Sequence, residues 1–296
     1  MNNYRNLTEK EIATLVVYGC SADDWKNILV ATDFSPKFIS NVSFSGQVRL
    51  GTFEKVFEMD GGFKKHSGIY NCCIHNCTIG NDVFIDKIPN YIANYEIGNG
   101  TYIENTNTIL VDQTTSFGNG VRVGVMNETG GREIPIFDFL SAPLAYVLAL
   151  YRHRPAVIDK IQKMIDEYTL LTSSDKGKIG ENVIIINCGR IKNVKIGDFA
   201  SIKGASNLKN GSINSNKQAP VMVGSGVKAT DFILSSGTSI TDSTLISKCF
   251  IGQGCIMDNI ILPWIRYFSL IARACTVKLP LFLPDLTPFR TTNQVC

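Results

Sequence analysis

The stretch CIHNCTIGNDVFIDKIPNYIANYEIGNGTYIENTNTI, residues 73–109, decides the fold. Every sixth residue of it is mostly aliphatic, in the set Cys73, Ile79, Ile85, Tyr91, Ile97, Ile103 and Ile109. A period of six is neither the 3.6 of a helix nor the 2 of a strand, so it indicates a structural repeat. Two inward positions in six residues describe one short flat strand and one corner. Three such strands form a triangular coil of about 18 residues, and stacked coils pair parallel strands.

The same period extends on both sides of this stretch and covers most of residues 39–133 and 177–258. In the second block the hexad positions are Val221, Val227, Ile233, Ser239, Leu245, Ile251 and Met257. The pattern predicts five segments. These are a cap over residues 1–34, a first repeat block over 35–133, an inserted helical hairpin with its linker over 134–176, a second block over 177–258 and a non-repeat tail over 259–296.

Two segments carry helical signals. Residues 7–30 are predicted to be helical, because Thr8 and Glu11 form a capping-box pattern and a second start signal follows at residues 21–24. Residues 134–172 carry apolar residues at spacings of three and four on either side of a corner at residues 152–155. This pattern predicts an αα-hairpin inserted between the two repeat blocks.

The composition bounds the class of protein. The 296 residues are 44% hydrophobic and 19% charged, with a net charge of +3, which is an ordinary globular balance. No run of Lys or Arg is dense enough for a nucleic-acid surface, and no apolar run is long enough to span a bilayer. The N-terminus has no secretory signal pattern. We therefore expect a cytoplasmic protein without nucleic-acid or membrane partners.

Nine cysteines raise the question of disulfides or metal. They lack the paired CxxC spacing of a zinc site, and we expect no metal. Cys73, Cys77 and Cys255 fall on predicted inward positions of the repeat. The cysteines are therefore interpreted as small buried hydrophobes in a reducing compartment.

Several segments carry a family resemblance. Hexads that begin with Ile-Gly resemble the left-handed parallel β-helix of hexapeptide-repeat acyltransferases and of the C-terminal domains of sugar-nucleotide pyrophosphorylases. Further segments resemble an uncharacterised family about twice this length, labelled as relatives of sugar-phosphate nucleotidyltransferases. These segments are GCSADDW (19–25), VSFSGQVRLG (42–51), SGIYNCCIHNCTIG (67–80), NYIANYEIG (90–98), ALYRHRPAVI (149–158) and IGDFASIKGASNLKNGSI (196–213).

The resemblance implies a left-handed parallel β-helix. With the helical segments predicted above, we expect an all-β fold, a left-handed parallel β-helix with an N-terminal helical cap and an inserted αα-hairpin. The resemblance also implies a homo-oligomer, a trimer, and an acyltransferase-like protein that handles a sugar or sugar nucleotide with acyl-CoA as co-substrate. The glycine-rich nucleotide loop of the pyrophosphorylases is missing, so nucleotidyl transfer lacks its site. The alternative is a non-catalytic β-helix scaffold or binding module whose functional part is missing from this chain.

The candidate site residues follow from that chemistry. An acyltransferase of this kind uses one His as general base. His75 should point outward from a coil face and is the first candidate, and His66 is the second. His153 lies between two arginines at a helix corner and is interpreted as structural. The candidate ligands for a phosphate or pyrophosphate are Lys64, Lys65, Arg152 and Arg154, and the alternative is that they form a solvated basic surface.

The tail over residues 259–296 has no hexads, four prolines and one acid. One interpretation is an apolar cap of a genuine short variant. The other is an out-of-frame translation. Reading the codons of residues 265–278 one base earlier, with permitted wobble choices, gives DSLFLLNCQGMHGE, which resembles the continuation of the longer family.

Sequencing the underlying DNA tests the out-of-frame interpretation. We expect that a frame shift near residue 259 opens a long reading frame that continues the family pattern. A stop codon shortly after residue 259 in the shifted frame would exclude the out-of-frame interpretation.

Overall fold

The computed structural model of the chain describes residues 4–124, 131, 133–259, 261–262 and 276–277. Within these residues the protein is mostly β, with one sheet of 24 strands, two sheets of two strands and three α-helices. The predicted tail lies outside the described residues, except for its residues 259, 261–262 and 276–277. None of the helices in the described ranges is long and apolar enough to cross a membrane.

The strands before the helical insert are β1 (Tyr4–Asn6), β2 (Ser21–Ala22), β3 (Ile28–Ala31), β4 (Ile39–Ser45), β5 (Val48–Leu50), β6 (Val56–Glu58), β7 (Lys64–His66), β8 (Gly68–His75), β9 (Thr78–Ile79), β10 (Phe84–Asp86), β11 (Tyr91–Ala93), β12 (Tyr95–Ile97), β13 (Tyr102–Glu104), β14 (Thr108–Leu110), β15 (Arg122–Gly124) and β16 (Glu133–Pro135). Those after it are β17 (Gly177–Ile179), β18 (Ile184–Ile186), β19 (Arg190–Ile196), β20 (Ser201–Lys203), β21 (Asn207–Ile213), β22 (Met222–Val223), β23 (Lys228–Leu234), β24 (Ser239–Thr241), β25 (Leu245–Ile251), β26 (Ile256–Asp258), β27 (Ile261–Leu262) and β28 (Thr276–Val277). The α-helices are α1 (Glu9–Val17), α2 (Ala142–Leu150) and α3 (Pro155–Thr172).

The large sheet consists of three columns of strands paired in parallel. The first column runs through β10, β13, β18, β20, β22, β24 and β26. The second runs through β11, β14 and the first halves of β19, β21, β23 and β25, and the third through β9, β12, β17 and the second halves of the same long strands. We call one strand from each column, taken in chain order, a rung. β1 differs from this pattern because it pairs antiparallel with β3.

The core lies inside the rungs, where one aliphatic side chain of each strand stacks on its counterpart in the next rung. In the first column Ile85, Ile103, Ile185 and Ile202 are in register and fully buried. Such burial is the main stabilising contribution of the fold. The prediction for Cys73 is wrong, because Cys73 is exposed. Alternation along β8 gives the inward positions to Cys72 and Ile74 instead.

The corners between columns use backbone that most residues avoid. β19 bends at Asn193, which has a φ of 57°. Asn reaches this left-handed region more easily than other side chains. At another corner the Asn41 amide donates to Asn71 at 3.2 Å, and the Asn71 amide donates to Asp86 at 2.8 Å. The corner side chains therefore bond from rung to rung, as the backbone does.

The N-terminal cap is only partly helical. The predicted capping box is confirmed, since Thr8 and Glu11 cap α1 reciprocally. The second helix predicted from residues 21–24 is wrong. Asp24 caps a single 3-10 turn, Trp25–Asn27, and the chain then enters β3, which pairs with β1 and β5. Backbone pairing with two strands outweighs the local helix signal in this segment.

The helices α2 and α3 occupy the predicted hairpin segment, and residues 151–154 separate them. They pack on the outer side of the third column near its C-terminal end. There Ile233 and Phe250 point outward and are nevertheless buried, in a second core with Phe137, Leu148 and Ile165. The outward side chains of the third column thus change from polar to apolar where the insert lies on them.

Strand alternation predicts that substitutions at two adjacent residues of β18 change the free energy of unfolding by very different amounts. Ile185→Ala should lower the free energy of unfolding by about 2–5 kcal/mol, because Ile185 is fully buried. Ile184→Ala should change it by only about 0.5 kcal/mol, because Ile184 is exposed. Urea unfolding of both variants measures the difference. Equal losses would contradict the inward assignment of Ile185.

Candidate functional site

His75 is the last residue of β8, whose second half pairs with β11 and so belongs to the second column. Its predicted outward position is confirmed. Nδ1 of its ring is 2.8 Å from Oγ of Ser45 in the preceding rung. Nε2 is 3.0 Å from the side-chain amide nitrogen of Asn76. Both ring nitrogens are therefore engaged by neighbours, and His75 sits on an open sheet surface.

His66 lies on β7, in a hairpin that β6 and β7 form beside the first column. Its ring stacks on Phe38 with centroids 3.7 Å apart, and Nδ1 donates to the Ser67 carbonyl at 2.8 Å. The stacking on Phe38 and the hydrogen bond to Ser67 hold the His66 ring in place. The catalytic roles of His66 and His75 stay predictions.

The four predicted phosphate ligands lie on two separate elements. Lys64 and Lys65 are on β7, whereas Arg152 and Arg154 flank the corner between α2 and α3. Arg152 donates from Nε to the Leu148 carbonyl at 3.2 Å. Among the described residues no hydrogen bond or ion pair links the two pairs. Their role as ligands also stays a prediction.

Lys65 belongs to a cluster that the sequence did not indicate. Its Nζ is 2.6 and 2.7 Å from the two carboxylate oxygens of Glu104 and donates to the Tyr102 hydroxyl at 3.0 Å. Tyr102 in turn donates to Glu104 at 2.5 Å. The Tyr102 ring stacks on Phe84 with centroids 4.6 Å apart, and Phe57 of the hairpin packs edge-on against it. The cluster anchors the hairpin to the first column.

Electrostatics in this cluster favour the ionised carboxylate. Burial by itself raises the pKa of Glu104, but the hydrogen bonds from Lys65 and Tyr102 and the charges of Lys65 and Lys87 outweigh burial. The net effect lowers the pKa of Glu104. Burial, together with the hydrogen bond to Glu104, raises the pKa of Tyr102. Lys65 and Glu104 thus neutralise each other, so this lysine is already paired inside the protein.

An open groove of about 300 Å³ lies on the outer side of the third column. Thr78, Glu96 and Lys178 line its floor on three successive rungs, in register. Glu181 and Asp198 line one side. Within the described part of the chain neither Glu96 nor Lys178 has an ion-pair partner within 4.0 Å. Their charged groups are exposed and free to meet a ligand.

Glycines at the corner beside the groove let the rungs approach each other. A Cβ added to Gly98 would lie 2.6 Å from the carbonyl carbon and oxygen of Gly180 in the next rung. A side chain at residue 98 would clash with the backbone of the next rung. Gly80 and Gly180 line the same corner, so one wall of the groove is main chain without side chains.

Beyond the groove the third column meets the helical insert at Asp138. The Asp138 carboxylate accepts hydrogen bonds from the Tyr168 hydroxyl at 2.9 Å and the Asn214 amide at 3.0 Å, and Lys195 Nζ lies 4.0 Å away. Burial, with the negative charge of Asp138, raises the pKa of Tyr168 to about 12. This network holds the insert against the rung that follows Lys178. Lys195 lies on that rung, because Lys195 precedes Ile196 and Ile196 pairs in register with Ile179.

The sequence did not predict the groove because its residues come from separate rungs. Thr78, Glu96 and Lys178 are adjacent only through the parallel pairing of β9, β12 and β17. Their common signal is that each precedes an inward Ile, namely Ile79, Ile97 and Ile179. Within the described residues no group of three or more His, Cys, Asp and Glu side chains could hold a metal ion.

A comparison with models of protein families assigns the chain to a family. The model of DUF4954, a domain of unknown function, matches residues 4–264, which is most of the chain. The chain belongs to the DUF4954 family. An uncharacterized protein of Treponema pallidum (strain Nichols) is 29% identical over 248 residues, covering 80% of this DUF4954 chain and 34% of the relative. The chain therefore spans about a third of the length of the curated relative that it matches.

The family found corrects the resemblance drawn from the repeat. The assignment to hexapeptide-repeat acyltransferases and to relatives of sugar-phosphate nucleotidyltransferases is wrong, because the matching family is DUF4954 and its relative is uncharacterized. The physical reason is that a stack of short flat strands, each with one inward aliphatic, has this period whatever chemistry its outer surface carries. The period reports strand geometry in this DUF4954 chain and does not identify a reaction.

The cluster around Lys65 predicts a pH-dependent stability. Glu104 has a folded pKa below its ordinary value of 4.5. Its contribution is therefore fully present above pH 4.5 and is lost as the pH falls through the folded pKa. Glu104→Gln should lower the free energy of unfolding by about 1–3 kcal/mol at pH 7. The difference in free energy of unfolding between Glu104→Gln and the unsubstituted protein should become smaller towards pH 3.

Urea unfolding at pH 7, 4 and 3 measures this gap. Glu167→Gln on the exposed side of α3 is the matched control and should have little effect at any of the three pH values. A Glu104→Gln gap that stays constant with pH would show that the Glu104 charge does not stabilise the cluster.

Proposed function

We propose that the described part of this DUF4954 chain is a non-catalytic binding module, a left-handed parallel β-helix that holds a neutral sugar in the third-column groove. The observation that carries this proposal is the groove itself, in which Thr78, Glu96 and Lys178 present a hydroxyl, a carboxylate and an ammonium group in one line. The proposal keeps the non-catalytic binding module that the sequence offered as the alternative, and differs from that alternative in placing the functional part within this chain.

The β-helix part of the proposal is supported by register and spacing. Ile79 pairs with Ile97, Ile85 with Ile103, and Ile92 with Ile109, so the chain returns to each column after one rung. Left-handed winding is inferred from the six-residue period. An experimental structure with right-handed crossovers, the usual hand for parallel strands, would overturn that part.

The chemistry of the groove fits a polyhydroxylated ligand. Carboxylates such as Glu96 and Asp198 accept hydrogen bonds from hydroxyl groups, and the ammonium group of Lys178 donates to ring or hydroxyl oxygens. Hydrogen bonds that involve a charged group are about twice as strong as neutral ones. The absence of side chains at the glycine corner allows close approach of a sugar ring.

The charge of the groove selects a neutral sugar over a sugar nucleotide. Glu96, Glu181 and Asp198 carry three negative charges against one positive charge on Lys178. A phosphate in this groove would meet a net negative field. The proposal therefore keeps the sugar that was expected from the sequence and drops the nucleotide.

A non-catalytic role is supported by the position of the histidines. His75 is bonded to Ser45 and Asn76 on the second column, and His66 is stacked on Phe38 beside the first. Neither lines the groove. No observation favours acyl-CoA as a co-substrate, so acyl transfer is not proposed.

Calorimetric titration with a panel of neutral sugars tests the proposal. Glucose, galactose, mannose, N-acetylglucosamine and maltose are the probes, and glucose 6-phosphate is the charged comparison. We expect at least one neutral sugar to bind more tightly than glucose 6-phosphate. Glu96→Gln and Lys178→Met should each weaken that binding about tenfold, which corresponds to about 1.4 kcal/mol.

His75→Ala is the matched control and should bind the same sugar unchanged, because His75 lies on another column. Binding lost in His75→Ala but kept in Glu96→Gln would move the site to the second column. A flat titration for every sugar in the panel would remove the sugar-binding proposal.

A further inference from the structure

The second column carries a group of cations that stacking brings together. Arg190 pairs in register with Asn207, and Asn207 pairs with Lys228. Lys192 pairs with Lys209 on the adjacent line of the same strands. We call Arg190, Lys192, Lys209 and Lys228 the basic surface. Only Arg190 and Lys192 share a strand, and Lys209 and Lys228 come from the two following rungs, so no run of basic residues indicated this surface.

The side chains of the basic surface point outward. The residues between them, Ile191, Leu208 and Ala229, are buried in the core. Arg190, Lys209 and Lys228 are exposed, and Lys192 is half-buried. Strands in a sheet are about 4.8 Å apart, so the surface extends roughly 10 Å along the column and roughly 7 Å along a strand. Four cations therefore share a small, flat and accessible area.

Few carboxylates balance these cations. Asp112 forms an ion pair with Lys192 at 2.5 Å. The hydrogen bond and the charge of Lys192, and to a smaller extent the charge of Arg190, lower the pKa of Asp112. Asp231 lies at the neighbouring corner and accepts the amide of Asn210 at 2.6 Å. Even with both carboxylates counted, positive charges exceed negative ones by two. Within the described residues Arg190, Lys209 and Lys228 have no ion pair within 4.0 Å.

Like charges that the protein does not compensate repel one another and attract anions, and a bound anion would offset the repulsion. The anion must be extended, because the cations lie on three successive rungs. The short segments 190–192, 207–209 and 228–230 contain no aromatic residue on which a nucleobase could stack. These features favour a chain of closely spaced phosphates without bases.

We propose that the basic surface binds a linear phosphate chain, of the phosphoanhydride class, laid along the column across β19, β21 and β23. Arg190 and Lys192 contact its first phosphates, and Lys209 and Lys228 contact the following ones. This site is independent of the sugar groove, which lies on another column and has the opposite net charge. Either site can fail without the other.

The test is binding of fluorescent long-chain inorganic polyphosphate to the full chain, measured by anisotropy between 50 and 300 mM salt. The double variant Lys209→Glu/Lys228→Glu should bind at least a hundredfold more weakly at the lowest salt. The milder Lys209→Gln/Lys228→Gln should lower the salt slope by about two, one for each cation removed. Unfolding midpoints of both variants establish that they are folded.

Lys163→Glu/Lys160→Glu on the exposed side of α3 is the matched control, since it makes the same change of net charge. We expect it to reduce binding less than threefold. An equal loss in the control would mean that only net charge matters and would overturn the site. Tighter binding of an oligothymidylate with the same number of charges would assign the surface to nucleic acid and overturn the phosphate-chain proposal, as would no binding at 50 mM salt.

Discussion

The structure depends on parallel backbone hydrogen bonding between successive rungs. This pairing sets a fixed separation of about 4.8 Å, and every other feature must fit it. Inward positions must hold side chains that stack at that distance, which Ile103 and Ile185 do. Corners must turn within a few residues, which requires left-handed backbone at Asn193 and the absence of a side chain at Gly98. Where a corner admits an insertion, as after β14, the excursion must return in register to β17.

The same constraint builds the candidate sites. Outward side chains of successive rungs form straight lines, so residues from separate strands become neighbours without any local motif. Opposite charges in register, such as Glu96 and Lys178, make a mixed groove. Cations gathered in adjacent lines, such as Lys192 and Lys209, make a surface of one sign. Two surfaces with different electrostatics therefore exist on different columns of one stack.

The relation to the longer relative bears on both proposals. Since this chain spans about a third of that protein, the activity of a whole protein of this family stays a proposal here. The helical insert, fixed to the third column through Asp138 and Tyr168, sits one rung beyond Lys178 and closes off that end of the column.

The sequence by itself determined the repeat, the parallel stack of short strands, the capping box at Thr8 and the helical insert, because these follow from local periodicity and local hydrogen bonds. It failed for the second helix, since pairing of β3 with two strands decided that segment, and for Cys73, since strand alternation gave the inward place to Ile74. Only the tertiary structure decided the sites. A groove and a basic surface that form across rungs depend on register, and register depends on contacts between residues far apart in the chain.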